Sequence, residues 1–134
     1  MHLKRHAALA ILLLVSWLPA QGKNLLFYGN SFSYFNSGVA RIVQAIAVKA
    51  GFPAPVYQER LIAGQDLRYH ATDPAQIAAI SNFLPAGQTW DVVIMQGLST
   101  EATLALGHPA QFVNDAVTLF GNVRNHSPAC KGVM

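Results

Sequence analysis

Two short runs, Leu25-Leu26-Phe27-Tyr28 and Val92-Val93-Ile94-Met95, contain no polar residue. Each stops abruptly, the first at Gly29-Asn30-Ser31 and the second at Gln96-Gly97. A stretch of this length that is apolar at every position, and not only at alternate ones, is a strand covered on both faces. Lys23 to Tyr28 and Asp91 to Met95 are therefore expected as buried strands. A third strand, Val56 to Ile62, is more polar and is placed nearer an edge. Between them lie helical patterns. Val39, Ile42, Val43, Ile46, Ala47 and Ala50 mark one apolar helix face, with Ser37 near its start and Gly51 just beyond its end. Asp73-Pro74 opens a second helix running to about Leu84, with Asp73 as cap and Pro74 in the first turn. A third runs from about Pro109 to Arg124, its buried stripe read as Phe112, Val113, Ala116, Phe120 and Val123. Strand-helix alternation of this kind indicates an α/β fold, a parallel sheet with helices on both faces.

The first twenty residues stand apart. Lys4 and Arg5 precede the apolar run Ala7 to Leu14, and Trp17-Leu18-Pro19-Ala20 supplies a small residue for cleavage. Met1 to Ala20 reads as a secretory signal peptide, with an uncleaved anchor as the alternative, and implies a secreted or periplasmic protein. Residues 21–134 form one domain. Without the leader, the 9 Lys and Arg fall to 7 against 6 Asp and Glu, a net charge of +1, which gives no basis for nucleic-acid binding. A single cysteine, Cys130, excludes an internal disulfide and a cysteine-based metal site. No Gly-Lys-Ser/Thr follows Gly29-Asn30-Ser31, so the turn is not a phosphate loop, and no cofactor or metal is expected. An apolar content of 52% against 11% charged residues excludes a disordered chain.

Ligand sites in parallel sheets lie beyond the carboxyl ends of the strands. Ser31, Gly64 and Gln96 each fall just after a predicted strand. Together they offer a hydroxyl, a backbone N–H that no Cβ shields, and an uncharged amide. That is the set acyl transfer uses, a nucleophile plus donors for the oxyanion. Taken by itself, the Asn30-Ser31 turn reads first as a helix cap, and it is the company of Gly64 and Gln96 that turns it into a nucleophile site.

The blocks Leu26-Phe27-Tyr28-Gly29-Asn30-Ser31-Phe32-Ser33, Ala63-Gly64-Gln65-Asp66-Leu67 and Trp90-Asp91-Val92-Val93-Ile94-Met95-Gln96 resemble three blocks of the SGNH hydrolase (GDSL-like esterase/lipase) superfamily. The likeness is to the branch with Gly-Asn-Ser where the usual motif has Gly-Asp-Ser. It implies a three-layer α/β/α, flavodoxin-like fold with Ser31 as nucleophile. Gly64 and Gln96 would serve the oxyanion hole, and Asn30, Phe32 and His70 would stand at the substrate. Gln96 occupies the place of the superfamily's asparagine. The implied substrate is an ester, either a carbohydrate O-acetyl group or another small acyl ester.

The superfamily's fourth block, Asp-x-x-His, which supplies the general base, has no counterpart in this sequence. Residues 21–134 are accordingly expected to be a C-terminally incomplete domain, with Pro128 to Met134 reading as a loop entering another strand. The competing expectation is a non-catalytic exported binding module, or inactive fragment, using the same cleft for a glycan or acyl ligand. Among the histidines, His70 is read as either reaching the cleft or standing on a helix surface. His108 is read as a polar neighbour of the Pro109 helix start, and His126 as solvent-exposed. Asp66 caps a helix or pairs with Arg68, while Trp90 and Phe32 line a pocket or fill the core.

Overall fold

The computed structural model describes residues 21–134, so the signal peptide expected over Met1 to Ala20 lies outside the described residues. Four strands form one parallel sheet: β1 (Asn24–Gly29), β2 (Val56–Leu61), β3 (Val92–Met95) and β4 (Lys131–Val133), in the order β2-β1-β3-β4. Helices α1 (Ser31–Tyr34), α2 (Val39–Lys49), α3 (Leu67–Thr72), α4 (Pro74–Asn82) and α5 (Pro109–His126) connect them. The order follows from composition. The fully apolar β1 and β3 pair at the centre, Leu25 against Val92 and Tyr28 against Met95. The polar strand β2 lies at one edge, as expected, with Leu25 facing Tyr57 and Gly29 facing Leu61. Residues 131–133 pair with β3, so the segment after Pro128 does enter a strand.

Right-handed crossovers assign the helices to faces. The chain moves one way from β1 to β2 and back past β1 to reach β3 and β4. Consequently α2 lies on one face and α3, α4 and α5 on the other. Leu26, Tyr28, Val93 and Met95 pack with Leu67, Ala71, Ile80, Leu119 and Val123 in the main core. Trp90 belongs to this core and not to a pocket, fully buried with its Nε1–H donated to Ile80 O at 2.7 Å. The opposite face is thin. There Leu25 and Phe27 meet Ala40, while Val92 and Ile94 are only partly covered.

Two helix faces differ from the sequence expectation. On α2 only Ala40 is buried, with Gln44 and Ala47 half-buried along the same stripe, whereas Ile42 and Ile46 are 46% and 63% exposed. Periodicity shows which side of a helix is apolar. It does not show whether anything covers that side. On α5 the buried stripe is Asp115, Ala116, Leu119 and Val123; Phe112 and Phe120 pack at its margin and Val113 is 55% exposed. The helix is rotated from the expected setting: Leu119, and not Val113, lies in the main core with Val93 and Met95.

Candidate functional site

Three loops leave the carboxyl edge of β1, β2 and β3, and one side chain joins them. Asn30 is fully buried. Its Nδ2 donates to Gln65 O at 3.1 Å in the loop after β2 and to Gly97 O at 3.3 Å in the loop after β3. Its Oδ1 accepts Phe32 N–H at 3.2 Å, capping α1, and its own N–H donates to Gln96 Oε1 at 3.1 Å. The expected placement of Asn30 at the substrate is thus corrected: with no exposed surface it is the tie that assembles the loops.

Ser31, the first residue of α1, is half-buried beside this tie. Gly64, in the loop held through Gln65, is exposed with φ +69°, a backbone conformation that favours glycine, and its N–H makes no backbone hydrogen bond. Gln96 is engaged more heavily than the sequence suggests. Its Oε1 also accepts the Ser33 hydroxyl at 2.9 Å, and its Nε2 donates to Gly97 O. One hydrogen of that amide nitrogen remains for a ligand. Gly29 is a glycine for a steric reason, since a Cβ there would come 2.7 Å from Ser33 Oγ and 2.9 Å from Gln96 Oε1. Ser33 and Gln65 share in the site without having been singled out. Their roles depend on tertiary partners and carry no sequence signal.

Exposed aromatic side chains stand on α1 and just after it, beside Ser31. Phe32 is 62% exposed, which rules out the core reading for it, and Tyr34 and Phe35 are exposed beside it. Asp66 resolves as a cap, with Oδ1 accepting Tyr69 N–H at 2.9 Å at the start of α3. Next to it Glu101 accepts N–H groups from Leu98 and Leu67. Burial and the nearby Asp66 and Asp115 hold its carboxyl above the ordinary value. These carboxylates line a cleft of about 220 Å³ that also holds Arg68 and His108. Larger hollows lie elsewhere, one beside Lys23 and Asp91 at the opposite sheet edge and one over Ile42 and Ile46 on α2.

No described histidine hydrogen-bonds to Ser31. His70 is neither a surface residue nor open to a ligand: its ring is fully buried, with Nε2 2.9 Å from Gly29 O. Burial holds its pKa below the ordinary value and Arg60 adds to this, while the Gly29 carbonyl, Gln76 and Asp66 act against it. His108 precedes α5 without a side-chain cap bond. His126 is half-buried and not exposed, its Nδ1 2.9 Å from Ser127 Oγ. Among the described residues no group of His, Cys, Asp or Glu is arranged to hold a metal ion, and no helix is long and apolar enough to cross a membrane.

No family model matches the sequence, and no curated protein matches it. Among solved structures, the chain is similar to a protein from Slackia heliotrinireducens assigned provisionally as an SGNH hydrolase. The TM-score is 0.62 at 17% identity, over 84% of this chain and 54% of that one. The chain thus spans about half the length of the structure it matches. The likeness establishes the fold: a parallel α/β sheet of the SGNH hydrolase kind.

Proposed function

We propose that the chain is the N-terminal part of an exported serine hydrolase of SGNH type that cleaves esters, either carbohydrate O-acetyl groups or other small acyl esters. The observation that carries the reading is the Asn30 tie. It gathers three loops at one sheet edge and leaves the Ser31 hydroxyl, the Gly64 N–H and one Gln96 amide hydrogen uncommitted. In this mechanism Ser31 Oγ adds to the ester carbonyl carbon, and its proton passes to a histidine. The carbonyl electron pair moves onto oxygen, where Ser31 N–H, Gly64 N–H and the Gln96 amide receive it. Collapse expels the alcohol with that proton, and water then releases the acid from the acyl-enzyme.

The histidine is supplied by polypeptide other than residues 21–134. Three facts support this: no described histidine hydrogen-bonds to Ser31, the structural match extends over only 54% of the similar protein, and among the described residues Val92 and Ile94 on one sheet face are only partly covered. The lack of a base in reach also favours a second reading, in which the same cleft binds a glycan or acyl ligand without turnover.

The test is p-nitrophenyl acetate hydrolysis by the polypeptide that the encoding DNA specifies past Met134, compared with its Ser31→Ala variant. A loss of about 10³-fold or more is expected on removing the nucleophile. Equal rates overturn the assignment of Ser31. An Asp-x-x-His downstream separates the enzyme from the binding module.

A further inference from the structure

We propose that His70 is a positioning residue: by donating its Nε2–H to the Gly29 carbonyl it sets the orientation of the nucleophile turn. Its catalytic consequence rests on the reading of Ser31 as nucleophile, whereas its structural claim does not. Because Gly29 O can only accept, Nε2 carries the proton, and with no acceptor at hydrogen-bond distance from Nδ1 and burial disfavouring the charged ring, the ring is the neutral Nε2–H tautomer. The same carbonyl accepts Ile62 N–H at 3.0 Å. The other end of that peptide unit, Asn30 N–H, is held by Gln96 Oε1 at 3.1 Å. The Gly29–Asn30 peptide plane is therefore gripped from α3, from the end of β2 and from the end of β3. This unit immediately precedes Asn30, whose φ of −137° and ψ of −155° direct the chain into Ser31. Any rotation of the plane swings Asn30 away from its two carbonyl partners and moves Ser31 with it.

The ring itself is fixed. Tyr28 and Tyr69 pack against it with centroids 5.3 and 5.6 Å away, and α3 is anchored by the Asp66 cap. Nδ1 is buried with no partner at hydrogen-bond distance, the Gln76 side chain acting on the ring only from farther off, an arrangement that an apolar side chain of similar size avoids. What an apolar residue cannot supply is the donor to Gly29 O. The site therefore tolerates one orphaned nitrogen in order to place the other.

The test begins on the unsubstituted 134-residue chain with ¹⁵N-labelled histidine. Long-range ¹H–¹⁵N correlation is expected to show His70 as the Nε2–H tautomer, whereas an Nδ1–H ring overturns the proposal. Two variants follow. Gln places its amide nitrogen near the imidazole Nε2, so His70→Gln is expected to keep the Asn30 and Ser31 amide resonances at their original positions. His70→Phe keeps the ring volume without the donor. It is expected to move those resonances and to leave those of Leu119 and Val123 in place. Unmoved Asn30 and Ser31 resonances in His70→Phe overturn the proposal. If that variant does not fold, displaced resonances in His70→Gln do so instead. In the longer polypeptide, His70→Phe is expected to lower kcat for p-nitrophenyl acetate about 10- to 100-fold, the effect of a misplaced reacting group. KM should be little changed, and His70→Gln should recover most of the rate. Turnover unaffected by Ser31→Ala removes the catalytic reading and leaves the resonance test of positioning intact.

Discussion

Replacing Asn30 by aspartate changes one –NH₂ to –O at nearly constant volume, and the structure makes it a severe substitution whose severity depends on pH. The Asn30 side chain gives two hydrogen bonds, to Gln65 O and Gly97 O, and accepts one from Phe32 N–H. Aspartate retains only the last. Protonated, it can serve one of the two carbonyls and leaves the other without a donor, a loss of about 1–2 kcal/mol. Ionised, it presents negative charge to two carbonyl oxygens in a site without solvent. Such burial raises a carboxyl pKa by about 3 units, equivalent to about 4 kcal/mol more once the unfolded chain is fully ionised. The sign follows from proton counting. The unfolded carboxyl ionises near pH 4, so between about pH 4 and 7 the folded state holds a proton that the unfolded state lacks. Stability then falls as pH rises, by up to about 1.4 kcal/mol per unit. Urea denaturation of both proteins at pH 4, 5.5 and 7 should show a difference that widens with pH, whereas Asn30→Ala should show a constant deficit of about 2–4 kcal/mol. A difference for Asn30→Asp that stays flat with pH refutes the placement of Nδ2 between the two carbonyls.

The remaining predictions concern the helices. Leu119→Ala, at a fully buried site under β3, should lower stability by about 2–5 kcal/mol in urea denaturation, and Val113→Ala, one turn and a half away on α5, by less than about 1 kcal/mol. Equal losses refute the observed setting of that helix. Ile46→Lys on α2 should change stability by no more than about 0.5 kcal/mol and raise the solubility of the 134-residue chain, because Ile46 faces outward. A loss of more than about 1 kcal/mol refutes the outward setting of Ile46.

Much of the fold was legible because its signals are local. Leu25 to Tyr28 and Val92 to Met95 are apolar at every position, and only the middle of a parallel sheet suits such runs. Asp73 and Pro74 open α4 by local hydrogen bonds, Asp73 Oδ1 accepting from Ala75 and Gln76 N–H groups at 3.0 and 3.1 Å. The short helices α1 and α3 were not delineated because four and six residues leave no period to detect. His70 was placed in a cleft or on a surface because a lone histidine in a polar segment carries no mark of burial. What buries it is Tyr28, more than forty residues earlier in the chain.

The sequence by itself determined that Ser31, Gly64 and Gln96 each follow a strand, since two of those strand ends are written in the abrupt stop of an apolar run and the third in the turn Ala63-Gly64-Gln65. Only the tertiary structure decided which side chains face a ligand and which hold the scaffold. Asn30 was expected at the substrate and Gln96 in the oxyanion hole, yet Asn30 is consumed by the neighbouring loops while Gln96 keeps one amide hydrogen free. A hydrogen-bonding group has few valences. Whether they point to solvent or to a backbone carbonyl sixty residues away is settled by packing, which no local pattern encodes.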